Sequence, residues 1–159
     1  TGNKTTDDLI MAKRIADFED QYQADAVFID FGYGTGLKSI GDGWGRTWQL
    51  VPFGGASADP QMLNKRGEMF NACKTWLKLG GALDDQETAD DLSAAEYKVR
   101  VDGKIVMEPK EDIKERLGRS PGKGDALLLT FAYPVTKRSD FPAAGGKQPN
   151  VISEYDPWA

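Results

Sequence analysis

A chain of 159 residues, 40% hydrophobic and with four tryptophans, suits one compact domain with a substantial core. It has no histidine and a single cysteine, Cys73. That excludes imidazole bases, Ser-His-Asp triads, histidine- or thiolate-bound zinc and an internal disulfide, and it points to a reducing compartment. The net charge of −5 argues against an indiscriminate nucleic-acid binder, but charge is segregated. Residues 84–96 carry six acids and no base, whereas residues 98–138 carry ten bases and six acids.

Any metal or proton chemistry must therefore rest on carboxylates, lysines, hydroxyls or water, and carboxylates favour hard cations such as magnesium or manganese. No apolar run approaches a membrane span, and no secretory signal opens the sequence. The first residue is Thr1 and not Met, which reads as a fragment of something longer.

In chain order, residues 5–21 form an amphipathic helix, capped by Thr5 or Thr6, with Leu9, Ala12, Ile15, Ala16 and Tyr22 on one face. Residues 26–29 are a short apolar run of the kind found in buried, usually parallel, strands. Six glycines between Gly32 and Gly45 predict a loop, and residues 47–53 a second strand. Asp59-Pro60 predicts a helix start, with Met62, Leu63, Met69, Phe70, Cys73, Trp76 and Leu77 at helical spacing and Gly80-Gly81 as the stop. A short acidic helix covers residues 86–95. Residues 97–107 form a hairpin with Asp102-Gly103 in its turn, and residues 109–117 a charged helix ended by Gly118. A last apolar helix runs from Asp125 to Tyr133 and stops at Pro134. Residues 137–159, rich in Pro, Gly and polar groups, read as a flexible tail after a domain of residues 1–136.

The stretch VFIDFGYGTGLKS, residues 27–39, holds the first site candidate. It is not a P-loop, because Leu37 separates Gly36 from Lys38. A dinucleotide fingerprint fails too, since the final glycine is missing at the required offset. Asp30 remains, at the end of a buried strand where α/β folds place ligand-binding groups; the alternative is a residue that only caps the turn. Asp125 is the second candidate, at the start of the last apolar helix, with an N-cap as its alternative role. Two carboxylates without a histidine suggest a divalent-metal site. Under the cap reading Asp125→Asn would spare the fold.

The segment GRSPGKGDALLLTFAYP resembles the nuclease domain of the large terminase subunit of tailed bacteriophages, in which a Ser-Pro-x-x-x-Asp-Ala-Leu segment carries a metal-binding Asp. Three further stretches agree in order: VFIDFGYGTG, NKRGEMFNACKTWLKLGG and GKIVMEPKEDIKERLGRSP. The resemblance covers residues 5–135 or so. It implies a ribonuclease-H-like α/β fold, a mixed sheet flanked by helices, and a metal-dependent endonuclease that cuts concatemeric viral double-stranded DNA during genome packaging. Asp30 and Asp125 would hold Mg²⁺ or Mn²⁺ in a two-ion site. Lys123 would act on the scissile phosphate, and Arg119, Lys65 and Arg66 would touch DNA phosphates, with solvated surface charges as the alternative. The implied partners are double-stranded DNA, the terminase ATPase domain, the small terminase subunit and the portal protein, in the host cytoplasm.

Two departures go with it. The family's first carboxylate lies on strands that would precede this chain, with Asp42 as a weak substitute, and Gly122 stands where many members have another Asp. Without such a substitute the fragment alone would be inactive. The alternatives are a non-catalytic ribonuclease-H-like module that docks DNA or protein, and a junction resolvase of the same fold.

Overall fold

The computed structural model describes residues 4–137, with side chains from Asp7 onward; most of the expected tail lies outside them. The described residues are mixed α/β and divide into two compact units, residues 4–51 with 133–137 and residues 52–132. No helix among the described residues is long and apolar enough to cross a membrane.

The first unit runs α1 (Lys4–Gln21), β1 (Phe28–Asp30), α2 (Phe31–Gly43) and β2 (Gln49–Val51). β1 and β2 pair in parallel, Ile29 opposite Leu50, as the unbroken apolar run at 26–29 suggested. Ala12 and Ala16 of α1 are buried with Ile29 and Trp48, and Ile15, Val27, Leu37, Ile40 and Leu50 pack around them. Trp48 is 1% exposed and donates its indole N–H to Glu19 Oε2 at 2.7 Å, so the largest core side chain also has its polar edge satisfied. Two members of the expected α1 face stay outside this core: Leu9 and Tyr22 are exposed.

The expected glycine loop is instead helix α2. Its glycines do not loosen the chain; they let it pack. A methyl on Gly34 would overlap Ile29 and lie 2.8 Å from Leu50 Cδ2, and one on Gly41 would overlap the Trp48 ring. These two are the buried glycines of α2, and seven residues apart they share one face. Close approach to the β1–β2 pair thus outweighs the roughly 0.5–1 kcal/mol that each glycine costs a helix relative to alanine. Gly34→Ala should therefore lose about 1–2 kcal/mol despite its better helix propensity, because overpacking exceeds the propensity gain. Urea unfolding measures this, and a more stable variant would mean that α2 does not press on β1.

The second unit runs α3 (Lys65–Lys78), α4 (Gln86–Ser93), β3 (Tyr97–Val99), β4 (Ile105–Met107), α5 (Lys110–Leu117) and α6 (Gly122–Leu129). Its core gathers Met62, Met69, Cys73, Ile113, Leu128 and Ala132. β3 and β4 form the expected hairpin, Lys98 opposite Val106, with Gly103 at φ +81° in its turn. Gly118, at φ +70°, ends α5 as expected.

α3 starts later than the Asp59-Pro60 signal says. Asn64 is the cap, its Oδ1 accepting from Gly67 N–H at 3.0 Å. Residues 61–63 are drawn into pairing with β4: Ile105 N–H donates to Gln61 O and Leu63 N–H to Ile105 O, each at 2.8 Å. Asp59 instead makes a turn, accepting from Gln61 N–H at 2.9 Å. α6 also departs from expectation, starting at Gly122 and ending at Leu129.

Candidate functional site

Asp30 ends β1 and caps α2. Its Oδ1 accepts from Gly32 N–H at 2.9 Å, so the turn-capping role is present. The carboxylate is half-buried, and Phe31 and Tyr33 beside it are exposed.

In the second unit Asp125 lies in the first turn of α6 but does not cap it; its own N–H donates to Pro121 O at 3.0 Å. The residue is buried, and its Oδ2 pairs with the ammonium of Lys110, the first residue of α5. That oxygen has no further hydrogen-bond partner among the described residues. Arg66 is the second cation near it. Burial pulls the Arg66 pKa down, and the charges of Asp125, Glu108 and Glu111 push it back up. The Arg66 Nη1 donates to Glu108 O at 2.8 Å, and the guanidinium lies 5.7 Å from the centre of the Phe70 ring. Its Nε and Nη2 are buried without a partner among the described residues.

Neither Lys65 nor Arg66 is a solvated surface charge: they are 7% and 8% exposed. Lys65 donates to Glu68 Oε1 at 2.7 Å and to Ala132 O at 3.3 Å. Both side chains lie inside the unit, held by these partners, rather than standing in solvent.

The α6 N-terminus is held from another helix. Pro121 offers no side-chain cap. Asp91 of α4 supplies it: Oδ2 accepts from Lys123 N–H at 3.1 Å and Gly124 N–H at 3.0 Å, while Oδ1 pairs with Arg119. The Asp91 side chain is fully buried, and a methyl on Gly124 would lie 2.7 Å from its Cβ. Arg119 is thus engaged with Asp91 and, at 3.5 Å, with Glu87.

Lys123 is half-exposed and pairs with Glu87 at 2.8 Å and Asp85 at 3.2 Å. Positions two apart on a helix do not face each other, so the cation at the Asp125 carboxylate is Lys110 and not Lys123. Sequence reasoning missed Lys110 and Asp91, since both looked like members of solvated charge runs.

Asp85 caps α4, accepting from the Thr88 hydroxyl at 2.6 Å and the Thr88 N–H at 3.0 Å. These bonds, with Lys123, hold its pKa down at about 2. The folded value lies below the ordinary ~3.9. The associated stability is therefore complete above about pH 4 and is lost as pH falls through about 2. Thr88→Val removes the hydroxyl donor and should move the Asp85 carboxyl titration, followed by NMR, up towards the ordinary value. An unmoved titration would show that the hydroxyl does not set it.

Burial raises the Cys73 pKa, which disfavours its thiolate and makes it a poor nucleophile. Among the described residues, no three Asp, Glu or Cys side chains form a metal-holding group. Asp125 by itself fits a hard cation. It is a buried carboxylate whose Oδ2 is held only by an ammonium, and the Lys110 side chain that supplies it is 37% exposed.

No protein-family model and no curated protein matches the chain. Its fold is similar to that of a phage terminase nuclease domain. The solved structure is a lysine-to-alanine variant of the nuclease domain of the large terminase subunit gp2 of bacterial virus Sf6, with manganese. The TM-score is 0.59, over 77% of this chain and 72% of that one, at 18% sequence identity. At that identity the likeness is one of fold, and it agrees with the resemblance carried by the four sequence segments.

Proposed function

We propose that this chain is the nuclease part of a phage DNA-packaging enzyme, a Mg²⁺- or Mn²⁺-dependent endonuclease of ribonuclease-H-like fold that cuts concatemeric viral double-stranded DNA. The observation that carries this reading is Asp125. The Ser-Pro-Gly-Lys-Gly-Asp segment folds so that its carboxylate is buried and turned to a cation on a movable stem. Asp30 and Asp125 are the proposed metal ligands. Bound metal would activate a water as nucleophile and stabilise the leaving 3′ oxygen.

The chain's own residues do the rest. Lys110 balances the Asp125 charge while no metal is there, and on displacement its ammonium becomes available to a phosphate. Lys123 reaches a phosphate by exchanging its pairs with Asp85 and Glu87; exposed pairs are worth only about 0–1 kcal/mol each, so the exchange is easy. Arg119 keeps Asp91 in place and contributes to phosphate binding only at its outer edge. By the same reading the partners are double-stranded DNA, a packaging ATPase domain, a small terminase subunit and a portal.

The test combines nicking of supercoiled plasmid with anomalous scattering from crystals soaked in Mn²⁺. We expect manganese at the carboxylates of Asp30 and Asp125, and nicking that needs Mn²⁺ or Mg²⁺ and stops with EDTA. Manganese bound without nicking, but with DNA binding, would leave a non-catalytic docking module. No manganese at either carboxylate would overturn the assignment.

A further inference from the structure

The second unit carries a groove of about 420 Å³, remote in role from the Asp125 carboxylate, walled by α3, α4 and the β3–β4 hairpin. Its lining is mainly apolar: Met62, Phe70, Leu77, Leu92, Tyr97 and Met107 face it. The volume is that of a typical ligand or anchor pocket. The apolar surface continues beyond the groove along one face of the hairpin. Tyr97 and Val99 are 61% and 65% exposed, and Val101, two residues on, is fully exposed. A strand with all three residues exposed buries nothing on its own account, and contiguous exposed apolar surface marks an interaction site.

The groove also has a charge signature. Lys74 and Lys78 of α3 line it, four residues apart on one helix face. Both are exposed, and neither pairs with an acid among the described residues. Like charges at this spacing repel by roughly 0.2–0.5 kcal/mol. Seven of the ten other basic side chains of this unit have a carboxylate or carbonyl partner: Lys65, Arg66, Arg100, Lys110, Arg116, Arg119 and Lys123. An apolar trough with two uncompensated cations on its wall complements an apolar anchor with acids beside it.

We propose that this groove docks a short segment of a partner protein, one with an aromatic or large aliphatic anchor flanked by Asp or Glu. The anchor fills the space between Phe70, Leu92 and Met107, and the acids meet Lys74 and Lys78. A nucleic acid fits less well, because the groove is mainly apolar and offers a polyanion only those two cations. The inference stands apart from the nuclease reading, since it uses none of the residues placed there.

A random-peptide display library panned on the immobilised chain provides the test. We expect enriched sequences that combine Trp, Phe or Leu with neighbouring Asp or Glu. A labelled peptide made from them should bind the chain and lose about tenfold in affinity on Lys74→Glu/Lys78→Glu, the size expected when two rim charges are reversed. Both lysines are exposed, so the variant should fold, and its urea unfolding curve is the control. The proposal is overturned if no sequence is enriched, if the enriched sequences lack acids, or if the peptide binds the double variant as tightly. Displacement of the peptide by a DNA duplex would reassign the groove to nucleic acid. Dimerisation in light scattering that Tyr97→Asp disperses would reassign it to a second copy of this chain.

Discussion

Asp125→Asn is expected to reduce metal-dependent cleavage by more than about a hundredfold, the scale at which loss of even the groups supporting a ligand is felt. It should also destabilise the fold, and this second effect separates the structure from the sequence reading. As an N-cap Asp125 would tolerate asparagine. As a buried carboxylate it answers two cations. The Lys110 pair is 37% exposed on the lysine side, so its loss costs little. Arg66 is different: it is 8% exposed, with Nε and Nη2 already unpartnered, and Asp125 is the first of the charges that favour its cationic form. Leaving that guanidinium less compensated should cost about 1–3 kcal/mol. Urea unfolding and plasmid nicking on the same preparation read the two effects separately. Unchanged nicking would remove Asp125 from the metal. Unchanged stability would mean that the Arg66 charge is balanced by Glu108 and Glu111 instead.

What the sequence made legible was local. α1, α4, α5, the hairpin and the parallel strand β1 follow from periodicity and from punctuation at Gly80, Gly103 and Gly118, each of which has positive φ. The misreadings have tertiary causes. α2 looked like a loop because the reason for Gly34 and Gly41 lies in Ile29, Leu50 and Trp48, not in their neighbours along the chain. Their seven-residue spacing was the one available sign. Asp59-Pro60 is a sound helix-start pattern, overruled because residues 61–63 pair with β4. At the site, Asp30 and Asp125 stood out because each interrupts or borders an apolar run. Lys65 and Arg66 were read as surface groups because their type is rarely buried, and only the packing around them says otherwise. Lys110 and Asp91 were hidden in charged stretches, since burial of one member of an acidic run is a property of what packs on it.

Asp91 is where that hidden part has its largest consequence for stability. Asp91→Ala should destabilise the protein by about 2–4 kcal/mol, from a lost cap and from buried N–H groups left without an acceptor. Alanine returns only about 0.5 kcal/mol in helix propensity on α4. Asp91→Asn should fall between the two. Its amide oxygen still accepts from Lys123 and Gly124, but it carries no charge for Arg119. The effect reaches the site, because the two amides that Asp91 holds immediately precede Asp125. If the first turn of α6 frays, Asp125 loses its buried placement, so Asp91→Ala should weaken Mn²⁺ binding although Asp91 is not a proposed ligand. Hydrogen exchange at the Lys123 and Gly124 amides reports on this directly. Rapid exchange in the alanine variant, with partial protection in the asparagine variant, is the expected order. Amides that stay protected in Asp91→Ala, at wild-type stability, would show that α6 is held by the packing of Leu128 alone and that the carboxylate is incidental.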